Sequence, residues 1–332
     1  MPGTEGAAGA GTADADRADC PPVVLLVFNR PDLTARVFEV VRCVRPRQLL
    51  LIADGPRDSK PDDAALCQAT RDVLADIDWP CDVLRRYADR NLGCGPAVSG
   101  GLDWAFEQVP EAVILEDDCL TDPSFFPFCA ELLDRFREDG RVMQIAGSNL
   151  NAPAHAYLGS SYSFNAFSPV WGWATWRDAW ARYDYSMSTW PHFRDSGLMA
   201  GLPAGRRWQA TLRRDWDRAH RGEATWDHQW QYAVMSGHGL SVSPCVNLVS
   251  NLGFRADATQ TLLAGDLAEI PAGPMTFPLR HPPLVAENPL VERHMERQML
   301  EHTGRGVELL RRALPSHRAR RFLKGVLRPA RT

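Results

Sequence analysis

Three adjacent carboxylates, Glu116, Asp117 and Asp118, are the residues whose types and spacing most favour chemistry in this sequence. They directly follow an apolar run at residues 113–115. Neighbouring carboxylates repel one another and are costly near a protein interior without a cation. Hard divalent ions such as Mg²⁺ or Mn²⁺ prefer oxygen ligands and bridge carboxylates to phosphates. The triplet therefore indicates a site for a metal and a sugar diphosphate, with a solvated acidic turn as the alternative.

A further carboxylate, Asp227, lies in the run Trp226-Asp227-His228-Gln229-Trp230, where a helix is predicted to begin. An aspartate between aromatic walls can act as a general base that deprotonates an acceptor hydroxyl. The alternative is that Asp227 only stabilises the positive end of the helix dipole. His228 is either a metal ligand or a polar surface residue. The sequence leaves both pairs of alternatives open.

Two other segments have unusual composition. Residues 91–101 contain four glycines, which suits either a close approach of the backbone to phosphate or an ordinary tight turn. The segment is not a dinucleotide fingerprint, because Val98 stands where the third glycine is expected. The run Trp171-Gly172-Trp173-Ala174-Thr175-Trp176 is strongly aromatic. It predicts either a stacking platform for a sugar or core packing.

The elements that must position these residues alternate between strand and helix in the first half of the chain. Such alternation predicts a mostly parallel sheet with helices on both faces, and ligands bind such sheets at the carboxyl ends of the strands. Asn29, Arg30, Asp54, Asn91 and the acidic triplet all follow predicted strands. These strands are predicted at residues 23–28, 48–53, 82–87, 112–115 and 142–146.

The second half of the chain has a different character. Residues 150–170 are predicted to form a loop, and residues 240–249 alternate like a strand. Helical periodicity predicts four helices in this half, at residues 173–183, 206–220, 226–236 and 292–314.

Composition narrows the class of protein. The chain of 332 residues has a net charge of -4 and a pI of about 6.1, so nothing indicates a nucleic-acid partner. The eight cysteines form no C-x-x-C pair, which favours free thiols in a reducing compartment. No run of 18 apolar residues predicts a membrane-spanning helix, so we expect a cytoplasmic protein. The basic, amphipathic residues 305–332 predict either a solvated tail or peripheral contact with the inner face of an anionic membrane.

Taken together, these motifs resemble those of a bacterial glycosyltransferase of the GT-A fold, similar to family 2, and their order resembles the N-acetylglucosaminyltransferase I group. The stretch VVLLVFNRPD at residues 23–32 is similar to the first strand of that group. Asp54 matches the aspartate after its second strand, and Asn91-Leu92-Gly93 resembles a family-2 segment near the nucleotide. Glu116-Asp117-Asp118 matches a D-x-D motif, and Trp226-Asp227 resembles the W-D pair of inverting enzymes.

The resemblance implies a role for each matched residue. Asp118 would be the metal ligand and Asp117 would face the ribose or the sugar. Asp227 would be the catalytic base. Related proteins are expected to have a histidine near the metal or diphosphate, where this chain has Gln260. The remaining donor-binding residues would be Phe28, Asn29, Arg30, Asp54, Asn91, Gly93 and Glu116, with Arg30 and Asp54 at the base. The acceptor side would hold Trp171, Trp173, Trp226, His228 and Gln260.

The resulting hypothesis is an inverting transfer of a sugar, dependent on Mn²⁺ or Mg²⁺, from a nucleoside-diphosphate sugar to an acceptor hydroxyl. A UDP-sugar is the favoured donor, and the acceptor is a glycan, a lipid-linked glycan or a small molecule. We expect a disordered leader at residues 1–20 and a nucleotide-sugar-binding half at residues 21–150. An acceptor-binding half at residues 151–262 and a C-terminal extension with a basic helical tail at residues 263–332 would follow.

Two alternatives remain at this point. A nucleotidyltransferase usually needs a glycine-rich, basic loop near the first strand, whereas residues 29–32 contain no glycine. A non-catalytic, carbohydrate-binding protein that kept the GT-A fold would show no turnover of nucleotide-sugars. The sequence does not indicate an oligomeric state.

Overall fold

A central sheet of eight strands organises the described part of the chain. The computed structural model describes residues 20–254 and 270–303. The strands of this sheet are β1 (Val23–Val27), β2 (Gln48–Ala53), β3 (Asp82–Tyr87), β4 (Glu111–Glu116), β6 (Val142–Ala146), β7 (Tyr162–Asn165), β8 (Trp173–Trp176) and β9 (Leu240–Pro244). Their order in the sheet is β3-β2-β1-β4-β8-β6-β9-β7, and all strands except β7 and β8 run in the same direction. The predicted α/β class with a mostly parallel sheet is confirmed.

Helices pack against this sheet and against one another. They are α1 (Pro31–Val44), α2 (Asp63–Val73), α3 (Cys94–Gln108), α4 (Phe125–Phe136), α5 (Arg177–Trp180), α6 (Trp190–Asp195), α7 (Arg206–His220), α8 (Trp226–Ser236) and α9 (Pro289–Thr303). Helix α1 illustrates why they form. It begins at Pro31, whose missing N–H costs nothing in a first turn, and it buries Leu33, Val37, Phe38 and Val41 on one stripe.

The register of the parallel strands brings the candidate residues to one edge. Val27 pairs with Ala53, and Leu26 pairs with Glu116. Strands β1, β2 and β4 therefore end side by side, and the polar residues that follow them become neighbours. All five residues of β1 are buried, as expected for a strand covered on both faces.

A second, two-stranded sheet closes this edge from the other side. Strand β5 (Cys119–Thr121) pairs antiparallel with β10 (Val249–Asn251), and neither strand was predicted with these bounds. The pairing brings Gly253 against the acidic triplet, where a Cβ atom would overlap Asp118 Oδ2. The Leu252 N–H also donates to the Asp118 carbonyl at 2.8 Å. Glycine is required at 253 because any side chain would displace the Asp118 carboxylate.

The prediction of a helix at residues 173–183 is wrong in its first half. Trp173–Trp176 is strand β8, which fills the gap between β4 and β6 with all four residues buried. Pairing with both neighbours overrides the helical periodicity, as tertiary context often does for short aromatic runs. Only Arg177–Trp180 is helical. The loop predicted at residues 150–170 likewise contains β7, which pairs with β9.

Several predictions fall on residues outside the described ranges. These are the leader at residues 1–19, Gln260, and the basic tail from residue 304 onward. Helix α9 begins at Pro289, three residues before the predicted start, and is described as far as Thr303. Of the described helices, none combines the length and apolar character needed to cross a membrane.

The second half of the chain has its own buried aromatic cluster. Trp190, Trp216 and Tyr232 pack edge to face, with ring centroids 5.3 to 5.7 Å apart. These rings join α6, α7 and α8, and Met295 of α9 is buried in the same cluster. The main core lies instead around the sheet. Helix α8 joins the two cores, because it contributes buried residues to both and packs against α3 and α7.

Candidate active site

A cavity of about 270 Å³ lies at the carboxyl ends of β1, β2 and β4, and we call it the strand-end cavity. Phe28 and Arg30 contribute from the end of β1, and Asp54 and Arg57 from the turn after β2. The rest of the wall includes Asn91 and Gly93 from the loop before α3, Cys94 at the start of α3, and Glu116 and Asp117 of the acidic triplet. The cavity thus contains seven of the eight predicted donor-binding residues, and Asn29 lies just behind it.

Arg30 is the counter-charge of the acidic triplet. Its Nη1 lies 2.9 Å from Asp118 Oδ2, and its Nε donates to Asp117 Oδ2 at 3.3 Å. Its Nη2 forms a very short ion pair with Asp117 Oδ1. Burial opposes the charged guanidinium, but the Asp117 and Asp118 carboxylates raise the pKa of Arg30. The guanidinium of Arg30 is engaged by these two carboxylates while the residue also lines the cavity, and its predicted place at the base stays a prediction.

Within the triplet, Glu116 and Asp117 are both disfavoured as anions. Burial raises the pKa of Glu116, and the carboxylates of Asp118 and Asp117 raise it further. Burial also raises the pKa of Asp117, although Arg30 works in the opposite direction. One guanidinium therefore does not fully compensate three carboxylates. The arrangement favours an additional cation at this edge of the sheet.

Asp54 organises the loop that forms one wall of the cavity. Its Oδ1 accepts hydrogen bonds from the Gly55 and Leu92 N–H groups, both at 2.8 Å. Its Oδ2 accepts from Asn91 Nδ2 at 2.8 Å and from the Gly93 N–H at 3.2 Å. Gly93 has a φ of +85°, which a residue with a side chain rarely adopts. Asp54 and Asn91 therefore shape the cavity together, because both oxygens of Asp54 already have two donors each.

Arg57 and Asp63 belong to the site and were missed by sequence reasoning. The Arg57 guanidinium lies 5.1 Å from the centroid of the Phe28 ring, in a cation–π arrangement. Asp63 holds it through Arg57 Nε at 2.5 Å and Nη2 at 3.0 Å, and Asn29 Nδ2 donates to Asp63 Oδ1 at 2.9 Å. The Arg57 hydrogen bond lowers the pKa of Asp63 to about 2. The available signal was the turn Asp54-Gly55-Pro56-Arg57, which follows β2.

The chemistry of the donor set fits a divalent metal at Asp118. Among residues 20–254 and 270–303, no three His, Cys, Asp or Glu side chains form a complete metal-binding group. Mg²⁺ is nevertheless commonly held by only one or two carboxylates, with substrate phosphates and waters as its other ligands. The Asp118 carboxylate has space because position 253 is glycine. Gln260, the other residue considered near the metal, is outside the described ranges.

A separate cavity of about 150 Å³ lies among the helices of the second half, and we call it the helical cavity. Its walls include Phe167 and Trp171 from the segment before β8, Trp208 of α7, and Asp227 and His228 of α8. The Thr225 hydroxyl forms a very short hydrogen bond with Asp227 Oδ1. Asp227 is also among the charges that raise the pKa of Glu116. Asp227 thus lines the helical cavity, and its helix α8 packs against α3, whose first residue Cys94 lines the strand-end cavity.

The tryptophans predicted on the acceptor side divide into two groups. Trp171 is half-buried, lines the helical cavity and contacts the Phe254 ring edge to face at 5.5 Å. Trp173 and Trp226 are 1% and 2% exposed and stack on each other, with ring centroids 5.9 Å apart. Trp173 also packs against Trp230 in the main core. Because neither of these two indoles lines either cavity, we assign them the core-packing role.

Comparison with known proteins gives only remote similarity. No protein-family model and no curated protein sequence matches this chain. A cytidylyltransferase from Leptospira borgpetersenii serovar Hardjo-bovis (strain JB197) is similar over 52% of this chain and 67% of its own, with 10% identity and a TM-score of 0.31. Mouse xyloside xylosyltransferase 1 in its apo form is similar over 65% of this chain and 81% of its own, with 11% identity and a TM-score of 0.31. TM-scores this low do not establish a common fold with either protein. The fold of this chain is therefore defined by its own strand order.

Proposed function

We propose that this protein is a glycosyltransferase of GT-A type that moves a sugar from a nucleoside-diphosphate sugar, with a UDP-sugar favoured, to an acceptor hydroxyl. The observation that carries the proposal is the position of Asp227. It lines the helical cavity, and its helix α8 packs against α3, which begins at the wall of the strand-end cavity. A carboxylate in this position can deprotonate an acceptor hydroxyl that is bound in the helical cavity. That hydroxyl can then attack a donor that is bound in the strand-end cavity.

The donor would lie in the strand-end cavity. Phe28 and the Arg57 guanidinium offer a flat apolar face and a cation to a base and its phosphates. Asp117 would face the ribose or the sugar. Asp118 would hold Mn²⁺ or Mg²⁺, which when bound neutralises charge on a leaving diphosphate. Arg30, which engages both carboxylates, would orient them for these roles.

The acceptor hydroxyl would reach Asp227 from the helical cavity. The hydrogen bond with Thr225 fixes Asp227 Oδ1, which leaves Oδ2 to accept the hydroxyl proton. The acceptor oxygen then bonds to the anomeric carbon on the face opposite the diphosphate, and the bond from that carbon to the diphosphate breaks. Attack from the opposite face inverts the configuration at the anomeric carbon.

Turnover by the Asp227→Asn variant tests this proposal most directly. Loss of a general base lowers kcat about 10²- to 10⁴-fold, whereas donor binding in the strand-end cavity should be retained. Asp178→Asn, at an exposed position of α5, is the matched control. A fully active Asp227→Asn variant would refute the base assignment.

Donor binding is tested separately with UDP-, GDP- and dTDP-sugars, each with and without Mn²⁺. A ligand that binds the native state raises its apparent thermal stability. We expect a shift with a UDP-sugar and Mn²⁺, and a smaller shift in Asp118→Ala. Binding without hydrolysis or transfer would favour the non-catalytic alternative. Release of diphosphate from a nucleoside triphosphate would favour the nucleotidyltransferase alternative.

A further inference from the structure

The helical cavity has an aromatic wall that the proposed chemistry does not itself require. The Phe167 and Trp208 rings stack with their centroids 5.7 Å apart and an interplanar angle of 21°. Trp171 lies across the same cavity. Flat aromatic faces of this kind suit the apolar C–H faces of a sugar ring. A purely lipidic ligand would need no polar groups beside these rings.

Two buried polar groups in this wall lack hydrogen-bond partners. Trp208 is 2% exposed and Ser168 is 8% exposed, and both residues line the cavity. Neither Trp208 Nε1 nor Ser168 Oγ has a partner among the described residues. Buried polar groups in proteins are almost always paired, and an unpaired one is costly. Both atoms have almost no accessible surface, so hydroxyl groups of a bound ligand would supply the missing partners after a small movement of the two side chains.

Other indoles of the protein show that this lack of a partner is not general. In contrast to Trp208, five buried or partly buried indole N–H groups donate to protein oxygens at 2.5 to 3.2 Å, namely those of Trp79, Trp176, Trp180, Trp190 and Trp230. Trp216 Nε1 is also unpaired, but Trp216 does not line the helical cavity. The unpaired donor of Trp208 is distinguished by its place in a cavity wall.

The charges around the helical cavity restrict the ligand further. The cavity is lined by the carboxylates of Asp215 and Asp227 and by the imidazole of His228. Of the described residues, no Lys or Arg lines it. Arg214 balances Asp215 from outside the cavity, with Nε 3.0 Å from Asp215 Oδ1. Within residues 20–254 and 270–303, no Lys or Arg forms an ion pair with Asp227, whose charge also raises the pKa of Glu116. A ligand with a phosphate or carboxylate at this place would be repelled.

We propose that the helical cavity binds a neutral or amine-bearing sugar ring, which stacks on the aromatic wall and hydrogen-bonds to Trp208 Nε1 and Ser168 Oγ. This inference deepens the proposed function, because such a sugar would present its hydroxyl to Asp227. Binding of the sugar itself does not depend on a donor. Ser168 and Trp208 are thus specificity-determining residues for the acceptor.

The experiment titrates the full-length protein with sugars in the absence of any donor. The ligands are the methyl glycosides of glucose, N-acetylglucosamine and glucosamine, together with methyl glucuronide and glucose 6-phosphate. We expect binding of the first three, and affinity at least about tenfold lower for the two anionic sugars. Trp208→Phe keeps the stacking ring but removes the N–H, and Ser168→Ala removes only the hydroxyl. Each should weaken binding about three- to tenfold.

Matched controls are Trp104→Phe, at a partly buried position outside both cavities, and Ser59→Ala, at an exposed position. Both should bind sugars as the wild type does. Circular dichroism establishes that each variant is folded, and Ser168→Ala carries the test alone if Trp208→Phe is not. Equal binding of anionic and neutral sugars overturns the inference. So does the absence of binding by every sugar, or equal affinity in cavity variants and controls.

The same measurements separate this inference from the proposed function. Sugar binding without any nucleotide-sugar binding or turnover refutes glycosyl transfer and leaves the cavity assignment standing. Turnover with an acceptor that is indifferent to Trp208→Phe and Ser168→Ala refutes the cavity assignment and leaves glycosyl transfer standing.

Discussion

The two cavities of this protein differ in whether cations accompany their carboxylates and in how they are built. The strand-end cavity carries the guanidinium groups of Arg30 and Arg57 beside its carboxylates, and its polar atoms are densely hydrogen-bonded. The helical cavity has carboxylates without a lining Lys or Arg among the described residues, and two of its buried polar groups are unpaired. The first is preorganised for an anionic ligand that arrives with a cation, and the second suits a neutral ligand.

The difference follows from the elements that form each cavity. Parallel strands end at one edge, so short turns of fixed geometry can saturate groups such as Asp54. Helices α7, α8 and α9 meet through side chains, and their large aromatic rings leave space between them. Short turns at the strand ends thus supply partners for the polar groups of the first cavity. In the helical half, the packing of aromatic rings sets the shape of the second cavity.

Removing Arg30 should produce the largest change in stability and should affect the strand-end cavity. Arg30→Ala leaves Asp117 and Asp118 buried without their guanidinium partner, which costs about 3–5 kcal/mol of unfolding free energy. Urea denaturation measures this loss. Arg141→Ala, which breaks the exposed pair with Asp139, should cost far less. Mn²⁺ should restore part of the stability of Arg30→Ala. Equal stabilities of the two variants would contradict the assigned role of Arg30.

Changing Arg57 should weaken ligand binding in one cavity only. Arg57→Lys keeps the charge but loses the planar group that faces Phe28 and is held by Asp63. We expect UDP affinity to fall about three- to tenfold, as for the loss of a cation–π contact. Sugar binding in the helical cavity should be unchanged. Isothermal titration of both ligands measures the effect, with Arg36→Lys on the exposed face of α1 as the control. A parallel fall for both ligands would show that the cavities are not independent.

The smallest effect is expected from pH, and it concerns the helical half. Burial raises the pKa of Glu292 to about 7, with Glu287 and Glu296 adding to the shift. Because an unfolded glutamate has a pKa of about 4.3, the folded state holds this proton more tightly. The contribution to stability is thus present at low pH, and the free energy of unfolding falls as pH rises from about 4 through 7. Since Glu292 accepts the Ala166 N–H beside Phe167, the segment next to the helical cavity is affected.

The Glu292→Gln variant keeps an acceptor for the Ala166 N–H but cannot ionise. It should remove this part of the pH dependence, about 1 kcal/mol after allowance for solvent screening of a partly exposed group. Urea denaturation at pH 5 and pH 8 compares it with Glu301→Gln, which lies at an exposed position of α9. An unchanged decrease in stability between the two pH values would argue against this role of Glu292.

Much of the first half could be predicted because its signals are local. Strands β2, β3 and β6 have the predicted bounds, and the acidic triplet lies at the predicted strand end. In the second half, only helices α7 and α8 match the predicted bounds of their elements. A strand buried on both faces needs a continuous apolar run, and a parallel register brings the ends of such strands together. These requirements are visible within a few residues of sequence. The order of turns and strands therefore determined which edge of the sheet holds the candidate residues.

The tertiary structure decided which partner each of these residues has. Arg30 could have faced a base, but the register of β1 and β4 puts it against Asp117 and Asp118. Trp173 could have been helical, but the space between β4 and β6 makes it part of a strand. The helical cavity joins Ser168, Trp208 and Asp227, which are distant in sequence and share no motif. A contact between such residues depends on the packing of whole elements, and no local pattern of residues encodes it.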